Sequence, residues 1–113
     1  MTTALPVGVP TQLFVDGAWT DAAGSKTFPV FDPASGAVLA EIADASAEDA
    51  IRALDAAVAA QESWAATAPR ARGEILRRAF DLLQERAEEF ALVMTLEMGK
   101  PLPEARGEVV YGG

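Results

Sequence analysis

The strongest constraint on the fold of this chain is an apolar repeat between residues 69 and 99. Large apolar residues recur there in steps of three and four, which is the period of one helix face. Pro69 stands where a helix tolerates a missing N–H, and Gly99 with two prolines close behind it is typical of a helix end. The pattern predicts one long amphipathic helix from Pro69 to Gly99. Its apolar stripe consists of Leu76, Phe80, Leu83, Ala87, Phe90 and Met94.

Shorter apolar segments before residue 44 predict β-structure. Asp16-Gly17 favours a type I′ turn and therefore a tight hairpin. Asp32-Pro33, followed by Gly36, predicts a second turn, and Pro29 predicts an edge strand or a bulge. The predicted strands are residues 13–15, 18–19, 27–31 and 38–42.

Two further helices are expected on either side of the long one. Ser46, followed by acidic residues, is a favourable N-cap and predicts a helix that Trp64 closes before the break at Pro69. The larger apolar residues of this helix form a narrow stripe that is expected to pack closely on another element. Residues 104–111 predict the start of the other helix. The narrow stripe consists of Ile51, Leu54 and Val58.

Composition argues against several classes of function. The formal net charge of −8 and the pI near 4.4 argue against nucleic acid and anionic membranes as partners. There is no Cys or His, so the chain lacks a thiol nucleophile and the commonest general base. No glycine cluster joins a strand to a helix to cradle phosphates, and no apolar run is long enough to span a membrane. Residues 1–12 are expected to be a flexible arm rather than a signal peptide.

Several segments, taken in order, resemble the NAD(P)-dependent aldehyde dehydrogenase superfamily, and in particular its succinate-semialdehyde dehydrogenases. The resemblance runs from Leu13 through nearly all of the remaining chain and covers only the N-terminal portion of a much longer family pattern. The segments that carry it are Leu13-Phe14-Val15-Asp16-Gly17-Ala18-Trp19, Asp32-Pro33-Ala34-Ser35-Gly36, Trp64, Arg70 through Arg78, and Leu96-Glu97-Met98-Gly99-Lys100-Pro101.

This resemblance implies an α/β fold in which residues 13–113 form an incomplete N-terminal part of the coenzyme-binding domain. The complete enzyme would be a cytoplasmic homo-oligomer that oxidises an aldehyde, succinate semialdehyde, to the carboxylate with NAD or NADP. The reaction would pass through a cysteine thiohemiacetal and a thioester. The residues that perform it would lie outside this chain, which offers no catalytic and no cofactor-binding residue and is expected to be inactive alone.

The resemblance also implies one metal site. In relatives, an Asp at the position of Glu97 helps to hold a structural monovalent cation together with main-chain carbonyls that correspond to Val30 and Phe31. Glu is one methylene longer than Asp. The alternative for Glu97 is a solvated carboxylate, or one paired with Lys100 or an arginine.

Other charged and aromatic residues have simpler interpretations. The arginines at the start of the long helix could face a phosphate, but their helical spacing favours surface pairing with acidic residues. Lys100 is expected to be solvated near the last carbonyls of the helix rather than catalytic. Trp19 and Trp64 are expected to anchor a core. The arginines in question are Arg70, Arg72, Arg77 and Arg78.

Two other hypotheses remain beside the enzyme. The chain could be a short, non-catalytic homologue that acts as an interaction or assembly module, or it could come from a disrupted reading frame. The nucleotide sequence that follows Gly113 would separate the three.

Overall fold

The computed structural model of the chain describes residues 4–113, so residues 1–3 of the predicted arm lie outside it. Strands occupy the first part of the chain and helices the second, which confirms the α/β class. In chain order the elements are β1 (Leu13–Val15), β2 (Ala18–Thr20), a short 3-10 helix (Ala23–Ser25), β3 (Thr27–Phe31), β4 (Val38–Ala43), α1 (Ala47–Ala66), α2 (Pro69–Glu85), α3 (Ala87–Met98) and α4 (Leu102–Gly112).

The strands form two separate antiparallel hairpins, β1–β2 and β3–β4, as predicted. Asp16 and Gly17 both have positive φ, 51° and 75°, which is the backbone of a type I′ turn. In the second hairpin Pro29 pairs with Glu41, and the register shifts by a bulge directly after Val30. Each sheet has only two strands, so each hairpin depends on the helices for its stability.

Residues before β1 are tied to the hairpins at two points. The Ala43 N–H donates to the Thr11 carbonyl at 2.8 Å, and the Gln12 amide donates to Asp21 at 2.7 Å. The predicted boundary between an arm, residues 1–12, and the remainder, residues 13–113, stays a prediction.

The single long helix predicted from Pro69 to Gly99 is wrong, because the chain breaks at Arg86. Arg86 has φ −109° and ψ 17°, outside the helical range, and it separates α2 from α3. No Pro or Gly marks this position. Beyond the break, α3 packs on α4. The predicted end is confirmed, since Gly99 is left-handed with φ 77° and its N–H bonds to Thr95.

The core is small and lies between α3 and α4. Ala91, Ala105 and Val109 are buried there, and Leu83 from α2 packs against them with Met94. Small residues at the contact let the two helices approach closely. Helix α4 begins at Leu102, two residues earlier than predicted, since Pro103 is well suited to the first turn of a helix. The partly buried residues around this cluster are Leu83, Ala87, Met94 and Leu102.

Much of the predicted core is exposed. Trp19 and Trp64 are 51% and 42% exposed, so the prediction that they anchor a core within this chain is wrong. The stripe of α1, predicted to pack closely, is also exposed. The total accessible surface is 8026 Å², whereas a compact protein of this mass exposes about 5900 Å². These side chains lack a covering layer among residues 4–113.

None of the helices within residues 4–113 combines the length and the apolarity needed to cross a membrane.

Candidate functional site

The turn between β3 and β4 is held by a buried carboxylate. Asp32 is 4% exposed. Its Oδ1 accepts from the Ala34 N–H and its Oδ2 from the Ser35 hydroxyl, both at 2.8 Å. These two donors hold the pKa of Asp32 below its usual range. Gly36 closes the turn with φ 74°, so the turn predicted from Asp32, Pro33 and Gly36 is confirmed.

This turn meets the end of α3 at a point we call the Pro33–Gly99 corner. A Cβ placed on Gly99 would lie 3.2 Å from Pro33 Cγ. Two properties of Gly99 therefore matter, because it adopts a left-handed backbone and also leaves room for the Pro33 ring. The corner brings together two segments that are more than sixty residues apart in sequence.

The three predicted cation ligands flank this corner in sequence. Val30 and Phe31 end β3, just before the turn, and Glu97 lies in the last turn of α3. Val30 is half-buried, whereas Phe31 and Glu97 are exposed. Within residues 4–113, no cluster of three or more His, Cys, Asp or Glu side chains could hold a metal ion. A site built mainly from main-chain carbonyls would not be such a cluster, so the cation site stays a prediction.

A second buried carboxylate, Asp49, joins both hairpins to the start of α1. It accepts from the Ser46 N–H at 2.9 Å, the Ala23 N–H at 3.0 Å and the Arg52 guanidinium at 3.0 Å. The Ser46 and Ala23 donors, in that order, hold its pKa far below the usual range. The Ser46 side chain accepts from the Asp49 N–H in return, which completes a capping box. The sequence predicted Ser46 as the N-cap, but the bond from Ala23 has no local signal.

The arginines at the start of α2 are largely paired on the surface, as expected. Arg70 bonds to Glu74 and Arg77 to Asp81, each at 3.1 Å, along the face of the helix. Such exposed pairs contribute little to stability. Arg78 lies 3.5 Å from Glu85. Within residues 4–113, three of these four arginines are thus paired, and Arg72 alone does not form a cluster that could face a phosphate.

The lysine that follows Gly99 is largely buried rather than solvated. The Lys100 ammonium pairs with Glu108 of α4, and only 19% of its side chain is exposed. A second ion pair joins α4 to α3, because Arg106 donates to both carboxylate oxygens of Glu88 at 2.8 and 2.9 Å. The bond from Arg106 also lowers the pKa of Glu88. The Arg106–Glu88 pair links α4 to α3, and the Lys100–Glu108 pair links α4 to the segment between the two helices.

The helix N-termini described by the structure do not fit a dinucleotide. A pyrophosphate needs free N–H groups at a helix start, usually after a glycine-rich turn. Asp49 already fills that position in α1, and proline stands in the first turn of α2 and of α4. Helix α3 begins with Glu88 and Glu89, which would repel an anion. None of these four N-termini therefore has the form of a pyrophosphate-binding helix start, and the expectation that the chain holds no cofactor-binding residue stays a prediction.

A family model described as the aldehyde dehydrogenase family matches residues 19–112. This chain belongs to that family.

Individual relatives agree with this assignment. The chain is 71% identical over 75 residues to a succinate-semialdehyde dehydrogenase from Paenarthrobacter nicotinovorans, covering 66% of this chain and 17% of the relative. It is 42% identical over 100 residues to a glutarate-semialdehyde dehydrogenase from Pseudomonas aeruginosa, and this match covers 88% of this chain and 21% of that relative.

A solved structure has the same fold in this portion. It is a double mutant of betaine aldehyde dehydrogenase from Staphylococcus aureus in complex with NAD+. The TM-score is 0.88 at 29% sequence identity, over 92% of this chain and 21% of that one. The chain thus spans about a fifth of the length of the relatives it matches, and the match lies in their N-terminal portion.

Proposed function

We propose that this chain is the N-terminal portion of an NAD(P)-dependent aldehyde dehydrogenase that oxidises succinate semialdehyde to succinate. The substrate is inferred from the 71% identity of this chain to a succinate-semialdehyde dehydrogenase over 75 residues. The relative named for glutarate semialdehyde, one methylene longer, is less similar at 42%. Aldehyde, one equivalent of NAD(P)+ and water would give carboxylate, NAD(P)H and two protons.

The part played by this portion is structural. With no Cys in the sequence, the cysteine that forms the thiohemiacetal and thioester belongs to the rest of the enzyme. The two hairpins, fixed to α1 through Asp49, and the α3–α4 pair provide a frame for that later sequence. The whole enzyme would be a homo-oligomer of the cytoplasm. The chain alone should not form NAD(P)H from succinate semialdehyde.

A chimera tests whether this chain can serve as the N-terminal portion of such an enzyme, whose aldehyde preference resides in the remaining sequence. The matching N-terminal portion of the Paenarthrobacter enzyme would be replaced by this chain, and NAD(P)H formation measured with succinate and glutarate semialdehydes. We expect kcat/KM for succinate semialdehyde within about tenfold of the parent, a loss below about 1.4 kcal/mol, with succinate semialdehyde preferred. The control chimera carries the same portion of the betaine aldehyde dehydrogenase. A soluble, folded chimera with this chain and no activity on either aldehyde would contradict the proposal.

A further inference from the structure

We propose that Asp16 is a site of spontaneous covalent modification, at which aspartate isomerises to isoaspartate and the β1–β2 hairpin is lost. The turn of this hairpin consists of Asp16 and Gly17, which join Val15 at the end of β1 to Ala18 at the start of β2. The inference is independent of the proposed function, because it concerns only the chemistry of this turn.

The reaction needs no partner other than water. The Gly17 nitrogen attacks Cγ of the protonated Asp16 carboxyl group, an N–Cγ bond forms, and the amide proton leaves with the carboxyl hydroxyl as water. The product is a cyclic succinimide, whose nitrogen is bonded to two carbonyl carbons. Water then breaks one of these two bonds. Breaking the bond to Cγ restores aspartate, whereas breaking the bond to the main-chain carbonyl gives isoaspartate, in which the chain runs through the side chain.

The sequence singles out Asp16 for this reaction. Of the seven aspartates in the chain, only Asp16 precedes a glycine. A side chain on the following residue hinders the attack, and the other aspartates precede alanine, leucine or proline. Proline, which follows Asp32, also has no amide proton to lose. The chain contains no asparagine, so no other residue can form the same imide by losing ammonia.

The structure leaves both reacting groups accessible. Asp16 and Gly17 are exposed, and a Cβ placed on Gly17 would have no neighbour within 4 Å. Within residues 4–113, the Asp16 carboxylate accepts no hydrogen bond and the Gly17 N–H donates none. By contrast, Asp32 and Asp49 are buried and each accepts from several donors. Nothing comparable restrains the Asp16 side chain.

Local opening of the turn allows the attack. The closed type I′ turn, with φ 51° at Asp16 and 75° at Gly17, fixes the peptide plane between the two residues. Each strand has only three residues, and a two-stranded hairpin is marginally stable in water. Across the strands, the Phe14 and Trp19 rings contact each other with centroids 4.9 Å apart. This contact therefore limits how often the turn opens.

Isoaspartate does not fit the closed turn. It adds a main-chain carbon between Val15 and Ala18, which pair with each other next to the turn. A two-residue type I′ loop matches the twist of its strands only with the ordinary backbone of both residues. The longer backbone therefore disrupts the pairing of β1 with β2.

Ageing of the purified chain at neutral pH tests the assignment. Peptide mapping locates isoaspartate, because an isoaspartyl peptide keeps its mass, separates from its aspartyl isomer in chromatography and resists an aspartate-specific endoprotease. We expect isoaspartate to accumulate at Asp16 and not at the other aspartates. In the isoaspartyl form, the amide protons of β1 and β2 should exchange with water faster. No isoaspartate at Asp16, or as much at Asp21 as at Asp16, would overturn the inference.

The matched control is Asp16→Gly, because Gly-Gly also favours a type I′ turn but has no carboxyl group. The exchange of its amide protons should not change during the same ageing. If β1 and β2 lose protection equally in this variant and in the wild type, isomerisation at Asp16 is not the cause and the inference fails.

A second pair of variants tests the route through opening. Phe14→Ala should raise the rate of isoaspartate formation about two- to fivefold, because loss of the ring contact favours the open turn. Ile75→Ala removes a similarly exposed apolar side chain from α2 and should leave the rate unchanged. Equal rates in Phe14→Ala and Ile75→Ala would refute the route.

Discussion

Replacing Gly99 by alanine measures how strongly the Pro33–Gly99 corner holds the strands to the helices. The left-handed backbone, φ 77°, costs a side chain about 1–2 kcal/mol. The added Cβ would also lie 3.2 Å from Pro33 Cγ, and such overpacking adds about 1 kcal/mol. Gly99→Ala should therefore lower the free energy of unfolding by about 2–3 kcal/mol. Urea unfolding followed by far-ultraviolet circular dichroism gives this quantity from the shift in midpoint.

Substitutions at two other glycines separate the backbone penalty at Gly99 from the steric contact with Pro33. Gly36 has φ 74° and would place its Cβ more than 4 Å from any neighbour, so Gly36→Ala should cost only the backbone penalty. Gly73 lies inside α2 with open space around it, and Gly73→Ala should stabilise by about 0.5–1 kcal/mol. Pro33→Ala in the Gly99→Ala background should recover the contact energy. If Gly99→Ala costs no more than Gly36→Ala, the corner does not exist as described.

Two further substitutions test the buried carboxylate and the core. Asp49→Asn should destabilise the chain at neutral pH in thermal melts, whereas Asp55→Asn on the exposed side of α1 should not. Because the folded pKa of Asp49 is depressed, its contribution is complete above the usual Asp pKa of about 3.9 and is lost as the pH falls further. The melting temperature of Asp49→Asn should therefore fall less on acidification than that of the wild type. An equal fall in both proteins would contradict this prediction. Leu83→Asp should destabilise by several kcal/mol, Phe80→Asp by less because that ring is 38% exposed, and Glu85→Lys hardly at all. A melt series in which Glu85→Lys is worst would show that the assigned faces of α2 are wrong.

The parts of the fold that could be predicted from sequence are those decided by a few neighbouring residues. The type I′ turn follows from Asp16 and Gly17, which accept positive φ. The start of α1 follows from Ser46, whose side chain bonds within the first turn. The end of α3 follows from Gly99. Each of these three features lies at the residues that the local sequence predicts.

The break at Arg86 could not be predicted, because the apolar stripe continues across it. Leu83 and Ala87 are four residues apart and both pack on the α3–α4 core, as they would in an unbroken helix. The residues at the break carry no local signal for it, since neither Pro nor Gly stands at or beside Arg86. The exposure of Trp19 in β2 and of Trp64 in α1 could not be predicted either, since the apolar pattern of a strand or helix does not indicate whether its covering layer belongs to the same chain.

The Asp49 carboxylate has a consequence for cooperativity. It accepts one N–H from the loop that follows β2, at Ala23, and one from the loop that follows β4, at Ser46. No strand of one hairpin pairs with a strand of the other. The loops that follow the two sheets nevertheless donate to the same carboxylate. If either loop unfolds, the buried Asp49 loses a hydrogen bond, and this cost destabilises both hairpins. The hairpins and the first turn of α1 therefore open as one unit, and their amide protons should exchange with water together rather than sheet by sheet.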